Sequence, residues 1–444
     1  MDHENSRDNS SHNGSDRSQN QDPSAALRVV VIGAGIVGAA CAIELLRDGH
    51  HVTLVDPGQP GGEQAASYGN AGWLSPASVV PMSMPGLWKK IPGYLLDKNS
   101  PLTIRWRALP ALLPWLVRFI LAGATVARVE TTARALSALL RDAPARHRAL
   151  AAEAGIPDLI ASRGLLYVYP DRAAFEAEAL AWRLRHDNGV HWKELDARAC
   201  HALLPELAQK YQFAILLEQG AHCTDPGRYV AALVRHATLQ GAVLHRAKAS
   251  GFDIRNRRLH AVLTDGGELA CDRAVIAAGI HSKTLAKAAG DKIILTSERG
   301  YHVVIENPPF KPAVSVMTGD AKTGNTLTLS GLRIAGQVEL AGVQAAPDWA
   351  RADNLLRHAA TTYPALAAVF KTAVIRRWMG NRPSTTDGRP VLGPASGCQD
   401  VVHAFGHGHV GLASGPASGR LVADIIGGRP TFIDPAPYAV KRRD

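Results

Sequence analysis

The most constraining stretch of this chain is six residues long. Gly33, Ala34, Gly35, Ile36, Val37 and Gly38 follow directly on a β-branched run, RVVVI, at 28–32. Ile36, Ala40, Ile43 and Leu46 then recur at helical spacing, with Glu44, Arg47 and Asp48 on another face. Gly49 is placed to end that helix. A second strand-like run, HVTLV at 51–55, ends on Asp56 and Pro57. Strand, glycine turn, helix, strand and acid thus stand in the order a dinucleotide-binding unit needs. Gly33 permits the tight turn, Gly35 lets the backbone approach a pyrophosphate, and Gly38 lets helix and strand pack closely. The helix N-terminus offers free N–H groups to phosphate. Asp56 suits ribose hydroxyls and repels a 2′-phosphate, which argues against NADP.

Other features bound the rest. A chain of 444 residues exceeds one ordinary core and predicts two domains. With 46% hydrophobic and 20% charged residues it can bury a sizeable core. The net charge is +10, and the acidic balance of the first 24 residues works against that excess. This suits an anionic substrate, an acidic membrane surface or an acidic partner. No run of five basic residues and no basic–aromatic interleaving points to nucleic acid. Five widely spaced cysteines form no CxxC pair, so a reducing compartment, hence the cytoplasm, and no metal site are expected. Residues 1–24 are polar with no apolar run and read as a disordered tail, not a signal peptide. The segment 108–124, ALPALLPWLVRFILAGA, is strongly apolar but broken by Pro110, Pro114 and Arg118. It is short of the roughly 20 residues that span a bilayer. A buried or oligomer-facing helix is one reading. An interfacial segment on the inner face of the cytoplasmic membrane is the other.

Three later passages favour FAD. A small, polar, glycine-rich loop at 61–76 follows the second strand, placed to lie along an extended dinucleotide. Asp225-Pro226 opens a helix that leads to a strand at 241–249. Asp265-Gly266 reads as a hairpin turn, and AVIAAG at 274–279 as a buried strand. Near the end, VVHAF at 401–405 runs into Gly406, His407, Gly408, His409, Val410 and Gly411, then a helix over 416–427. That turn supplies a second positive helix end.

Together these motifs resemble the D-amino-acid oxidase superfamily, and within it the bacterial D-amino-acid dehydrogenases, including the hydroxy-D-proline type. The resemblance runs from about 27 to 434. It is carried by the glycine turn with Asp56, ASYGNAGWLSP at 66–76, SERGYHV at 297–303, RIAGQVEL at 333–340, WMGNRPSTTDGRPVLG at 378–393 and FGHGHVGL at 405–412. It implies an α/β fold with an FAD-binding, Rossmann-like domain of the glutathione-reductase type, built from 25–90, 221–295 and 376–434. An inserted α+β substrate domain with a mixed sheet would take 91–220 and 296–375. It implies that Ser67, Asn70, Ala71, Gly72, Ala249, Ala277, Ala278, Gly279 and Gly380 line FAD, and that 406 to Leu412 flank its ring. No cysteine lies near Gly380, so the FAD is expected to be non-covalent.

The implied reaction is hydride transfer from a small D-amino acid to the flavin, with a quinone, an electron carrier or oxygen as final acceptor. Arg382, stiffened by Pro383, is the expected partner of the substrate carboxylate. Pairing with Asp387 is its alternative. Tyr301 and His409 are candidate substrate contacts, and His302, Arg299 and Arg333 are open between packing and function. A soluble glycine or sarcosine oxidase, an FAD enzyme of tRNA maturation and a non-enzymatic dinucleotide sensor are the competing readings.

Overall fold

A computed structural model describes residues 26–89, 93 and 102–442; the expected tail, 1–24, lies outside them. The opening pattern folds as its periodicities dictate, into β1 (Arg28–Ile32), α1 (Ile36–Arg47) and β2 (His51–Val55). β1 lies between β2 and the strand Arg273–Ile276, parallel to both. A strand covered on both faces needs a continuous apolar run, which RVVVI supplies. The full sheet runs Val243–His245, β2, β1, Arg273–Ile276, Val401–Phe405 and Val391–Pro394. Its last pair is antiparallel.

α1 packs against the C-terminal helix, Gly411–Ile426, through small residues. A Cβ at Gly419 would stand 2.7 Å from the backbone of Ala40, so the two helices meet nearly backbone to backbone. The C-terminal helix starts earlier than expected and carries Pro416 inside it. Proline removes the N–H that Leu412 O would receive. His147 supplies the missing donor, its Nε2 donating to Leu412 O at 2.9 Å while Nδ1 accepts from the Tyr229 hydroxyl at 2.9 Å.

The second sheet is mixed and nine-stranded. Its order is Ile375–Ser384, Thr296–Ile305, Gly331–Leu340, Gly324–Thr328, Ser315–Thr318, Leu165–Tyr169, Phe213–Leu217 and Lys193–Asp196, with Leu102–Ile104 beside Gly331–Leu340. The helix Ala350–Thr362 covers one face in a separate core of Tyr301, Val303, Ile305, Ile334 and Leu355.

Three boundaries differ from expectation. The strand Ile375–Ser384 belongs to the large sheet and not to the dinucleotide domain, because it pairs along its whole length with Thr296–Ile305. The helices Val126–Leu140 and Ala143–Glu153 belong with the first sheet's core, through Val129, Leu136, Leu139 and Leu150. The passage 241–249 is not one strand. Val243–His245 extends the parallel sheet, and Ala249 opens a separate antiparallel sheet, Ala249–Arg255, Arg258–Thr264 and Gly267–Ala270.

The apolar segment forms the helix Leu109–Ala122. Leu112, Trp115 and Leu116 are buried, whereas Leu113, Val117 and Leu121 form an exposed row at i, i+4 and i+8. Among the described residues no single helix is long and apolar enough to cross a membrane.

Candidate active site

The glycine turn is closed by contacts that leave no room for side chains. A Cβ on Gly33 (φ +106°) would lie 2.4 Å from Ala277 O, and one on Gly38 would lie 1.8 Å from Gly33 O. At Gly35 the nearest atom is Ser67 Oγ at 3.5 Å, so that face of the turn is open to a ligand. α1 carries no side-chain cap and no acid in its first turn, which leaves its dipole end free for phosphate. Asp56 Oδ2 accepts from Ala34 N at 2.8 Å and Oδ1 from Gly58 N at 2.7 Å. An ionised carboxylate has about four acceptor sites, so two remain for ribose hydroxyls. Pro57 is exposed beside it. Ser67 Oγ accepts from Ile36 N at 3.2 Å, which ties the polar loop to the helix start.

The loop is pinned from the other side too. Asn70 Oδ1 accepts from Gly72 N at 2.8 Å, and Gly72 O accepts from Cys223 N at 2.7 Å. Arg333, buried in the large sheet, donates to Tyr68 O at 3.1 Å and Asn70 O at 2.6 Å. His302 Nδ1 bonds Gly69 O at 3.1 Å, and its ring stacks on Trp378 at 5.0 Å. Burial lowers the His302 pKa to about 3, so it is a neutral structural group. Ala71 stands beside Gly324 of the large sheet. Gly69 and Gly380 are glycines because the Trp378 ring lies where their Cβ atoms would be, at 1.9 and 2.1 Å.

Alternation on Thr296–Ile305 sorts the remaining candidates. Glu298, Gly300 and His302 share the face turned to this loop, and their cross-strand partners are Arg382, Gly380 and Trp378. The Arg382 guanidinium lies over Gly300, where a Cβ would be 2.3 Å from its Cζ. Among the described residues the Arg382 guanidinium has no hydrogen bond and no ion pair within 4.0 Å. Desolvation lowers its pKa and Glu298 opposes that. Asp387 is not its partner, being held by Arg389 at 2.8 Å and Arg442 at 2.6 Å.

Tyr301 is a correction. One residue out of phase, it points to the opposite face, where its hydroxyl donates to Glu339 and accepts from Asp348 N at 2.9 Å. Arg299 lies on that face too, paired with Glu339 at 3.0 Å with both side chains fully buried. Both are parts of a buried ionic cluster, remote from Arg382's face.

The turn 406–411 returns to the same place. Gly408 N donates to Pro383 O at 2.9 Å, so the turn is strapped to the end of the strand that carries Arg382. Trp115 Nε1 donates to Ser384 O at 3.1 Å and holds the apolar helix against that end. His409 faces the cleft, and Asn70 Nδ2 donates to its carbonyl at 3.5 Å. The residue is exposed to the cleft, and desolvation by the cleft walls, with Arg382 adding to it, lowers its pKa. The His407 ring turns away and bonds Ser418 Oγ at 2.9 Å, so only its backbone can meet a cofactor. Val410 and Leu412 are buried beneath the turn. Ala277, Ala278 and Gly279 follow the strand Arg273–Ile276 beside Gly33, whereas Ala249 lies at the start of the separate small sheet.

The family described as FAD dependent oxidoreductase, DAO, matches residues 28–425. The chain belongs to the DAO family. The match takes in both sheets. A D-amino-acid oxidase of Bradyrhizobium diazoefficiens is 51% identical over 93% of this chain and 98% of its own length. D-amino acid dehydrogenase 2 of Ralstonia nicotianae is 33% identical over 94% and 100%. The glycine oxidase of Geobacillus kaustophilus shares the fold, with a TM-score of 0.70 at 22% identity over 94% of this chain and 100% of that one. This DAO-family chain is therefore an FAD-dependent oxidoreductase of amino acids. The open face at Gly35, the uncapped start of α1 and the spare acceptors of Asp56 fit the cofactor's adenosine and pyrophosphate.

Sequence reading missed two residues of this DAO-family site. Arg333 was left open, since nothing in the sequence shows which carbonyls it would hold. Glu298 was passed over inside SERGYHV, although an acid two residues before Gly300 on a strand must share that glycine's face.

His147 gives the fold a pH dependence. Complete burial lowers its pKa from 6.5 to about 4. The unfolded chain takes up this proton near pH 6.5 and the folded chain only near 4. Its contribution to stability is complete above about pH 6.5 and drains as pH falls through that window, by up to about 3 kcal/mol. Thermal melts between pH 7.5 and 4 are expected to show the loss, with a shallower slope in His147→Gln. An equal slope in that variant would assign the acid sensitivity to other buried histidines.

Proposed function

We propose that the chain oxidises the α-carbon–nitrogen bond of a small D-amino acid, with Arg382 holding the substrate carboxylate. The observation that carries this is Arg382 itself, a half-buried guanidinium with no protein partner among the described residues. A half-buried guanidinium left unpaired is free to take a ligand, and a bidentate carboxylate pairs with it while fixing orientation. FAD, bound non-covalently along the Gly33–Asp56 unit, supplies the hydride acceptor. Arg382 fixes the substrate against it, and the pinned loop at 66–76 helps exclude water. The product is an imino acid, or a cyclic imine from a proline-type substrate, and water hydrolyses the open-chain form to a keto acid. D-proline and hydroxy-D-proline are the side chains we favour, on the resemblance of the motifs.

Anaerobic bleaching of the visible flavin band with D-proline, cis-4-hydroxy-D-proline, D-alanine, glycine, sarcosine and L-proline tests this reading. Bleaching by D-amino acids supports it. Bleaching by glycine or sarcosine alone, with peroxide formed in air, replaces it with the glycine or sarcosine oxidase reading; peroxide formed with D-amino acids would instead match the name of the 51% identical relative, D-amino-acid oxidase, and make oxygen the acceptor. We further propose that electrons pass to a quinone, with the exposed row Leu113, Val117 and Leu121 resting on a membrane surface. Co-sedimentation with anionic vesicles, lost in Val117→Glu, is expected; no binding at low salt removes this proposal.

A further inference from the structure

We propose that Glu298 is the second half of the substrate clamp: it holds the ammonium of the zwitterionic amino acid and takes its proton before hydride transfer. This rests on the reading of Arg382 above and extends it to the nitrogen end of the substrate.

Glu298 and Arg382 are direct cross-strand partners with side chains on one face of the large sheet. They are oppositely charged, yet no ion pair within 4.0 Å joins them. Glu298 is 5% exposed and lines a cavity with Ser83, Phe119, Gly408 and His409. The guanidinium lies over Gly300 and the carboxylate borders that cavity, so a positive and a negative group stand apart on one sheet face; this matches an α-amino acid, whose carboxylate and ammonium are separated by a single carbon. Gly300, the next residue on that face, leaves the room that the guanidinium occupies.

The chemistry requires the amine to be deprotonated. Hydride can leave the α-carbon only if the nitrogen has a lone pair to form the C=N bond. An ammonium substrate must first lose one proton. Glu298 carboxylate takes it and becomes the neutral acid. The α-C–H pair then leaves as hydride to the flavin, and the nitrogen lone pair closes the iminium. Charge and electrons balance with no further reactant. Burial raises the Glu298 pKa, with Arg382 and the Ser384 hydroxyl opposing, which suits a proton acceptor. The other titratable groups lining the cavity beside Glu298 are His409, which is exposed to it and has a lowered pKa, and Asp387, held ionised by Arg442 and Arg389.

The experiment compares wild type with Glu298→Gln and Glu298→Asp as flavin-loaded proteins. Two readings are taken: anaerobic bleaching rates with D-proline and D-alanine from pH 6 to 10, and spectral titration with tetrahydrofuran-2-carboxylate, which has the carboxylate but no amine. Glu298→Gln is expected to bleach about 100-fold more slowly at neutral pH. Its rate should climb as pH approaches the amine's own pKa, where solvent removes the proton. Its affinity for tetrahydrofuran-2-carboxylate should be unchanged or higher, since Arg382 is intact and a nearby negative charge is gone. Glu298→Asp should recover part of the rate. Equal rates and pH profiles in wild type and Glu298→Gln overturn the proposal while leaving Arg382's role standing. Loss of the amine-free ligand in parallel with the rate also overturns it, by making Glu298 a structural support. A wild type that no D-amino acid bleaches removes the proposed function, and this inference with it.

Discussion

Replacing Arg382 by alanine is expected to lower kcat/KM for the best amino-acid substrate by about 100- to 1000-fold, about 3–4 kcal/mol. A guanidinium with no protein partner contributes little to the resting fold, so melting of the flavin-free variant should match wild type. Arg382→Lys tests the planar fork separately from the charge. Lysine keeps the charge but offers no bidentate pairing, and recovery of only about tenfold is expected. Amine-free carboxylates should lose affinity in step with kcat/KM. Steady-state kinetics with spectral titration decides the matter. Unchanged kcat/KM in Arg382→Ala would move the carboxylate site elsewhere and leave the unpaired guanidinium without an explanation.

The second large effect separates two glycines three residues apart. At Gly38 a methyl group would lie 1.8 Å from the Gly33 carbonyl, so Gly38→Ala must open the turn itself. Expected outcomes are a flavin content at least about tenfold lower and a lower melting temperature even without FAD. At Gly35 the nearest protein atom to such a methyl is 3.5 Å away, and the protein alone tolerates it. Gly35→Ala should leave the flavin-free melt unchanged and weaken FAD by about 10- to 100-fold, about 1–3 kcal/mol, since only the approach of pyrophosphate is obstructed. Flavin absorbance per protein and fluorescence titration with FAD measure both. Equal losses of flavin-free stability in the two variants would refute a ligand-facing role for Gly35.

Local patterns were readable from the residues alone. β1, the glycine turn, α1 and β2 follow from period and turn chemistry within thirty residues, and the structure has them at the expected places. Arg382 was legible because Pro383 and the surrounding small residues mark a stiff, close-packed segment. Tyr301 was not, because a strand's two faces differ by one residue. The face is set by partners far away, here Glu339 and Asp348 on one side and Gly69 on the other. The domain boundary near 376 failed for a related reason. Ile375–Ser384 has a sheet partner 80 residues earlier in the chain, and local composition carries no trace of that pairing. The helix after Val410 was read as starting at Pro416 because proline favours a first turn. A helix tolerates it deeper when a distant side chain such as His147 meets the stranded carbonyl.

The order of the parallel sheet has a consequence for how the chain acquires its cofactor site. β1 and β2 emerge within the first stretch of synthesis, but the strand on β1's other edge, Arg273–Ile276, comes more than two hundred residues later, and Val401–Phe405 later still. Until they arrive, Ala277 is absent from behind Gly33, and the turn meant for pyrophosphate has no floor. The phosphate cradle is encoded first and floored only after more than two hundred further residues. Flavin capture is therefore tied to closure of long loops, the slow kind of folding step, and a nascent chain halted before residue 273 is expected to carry the fingerprint without the grip.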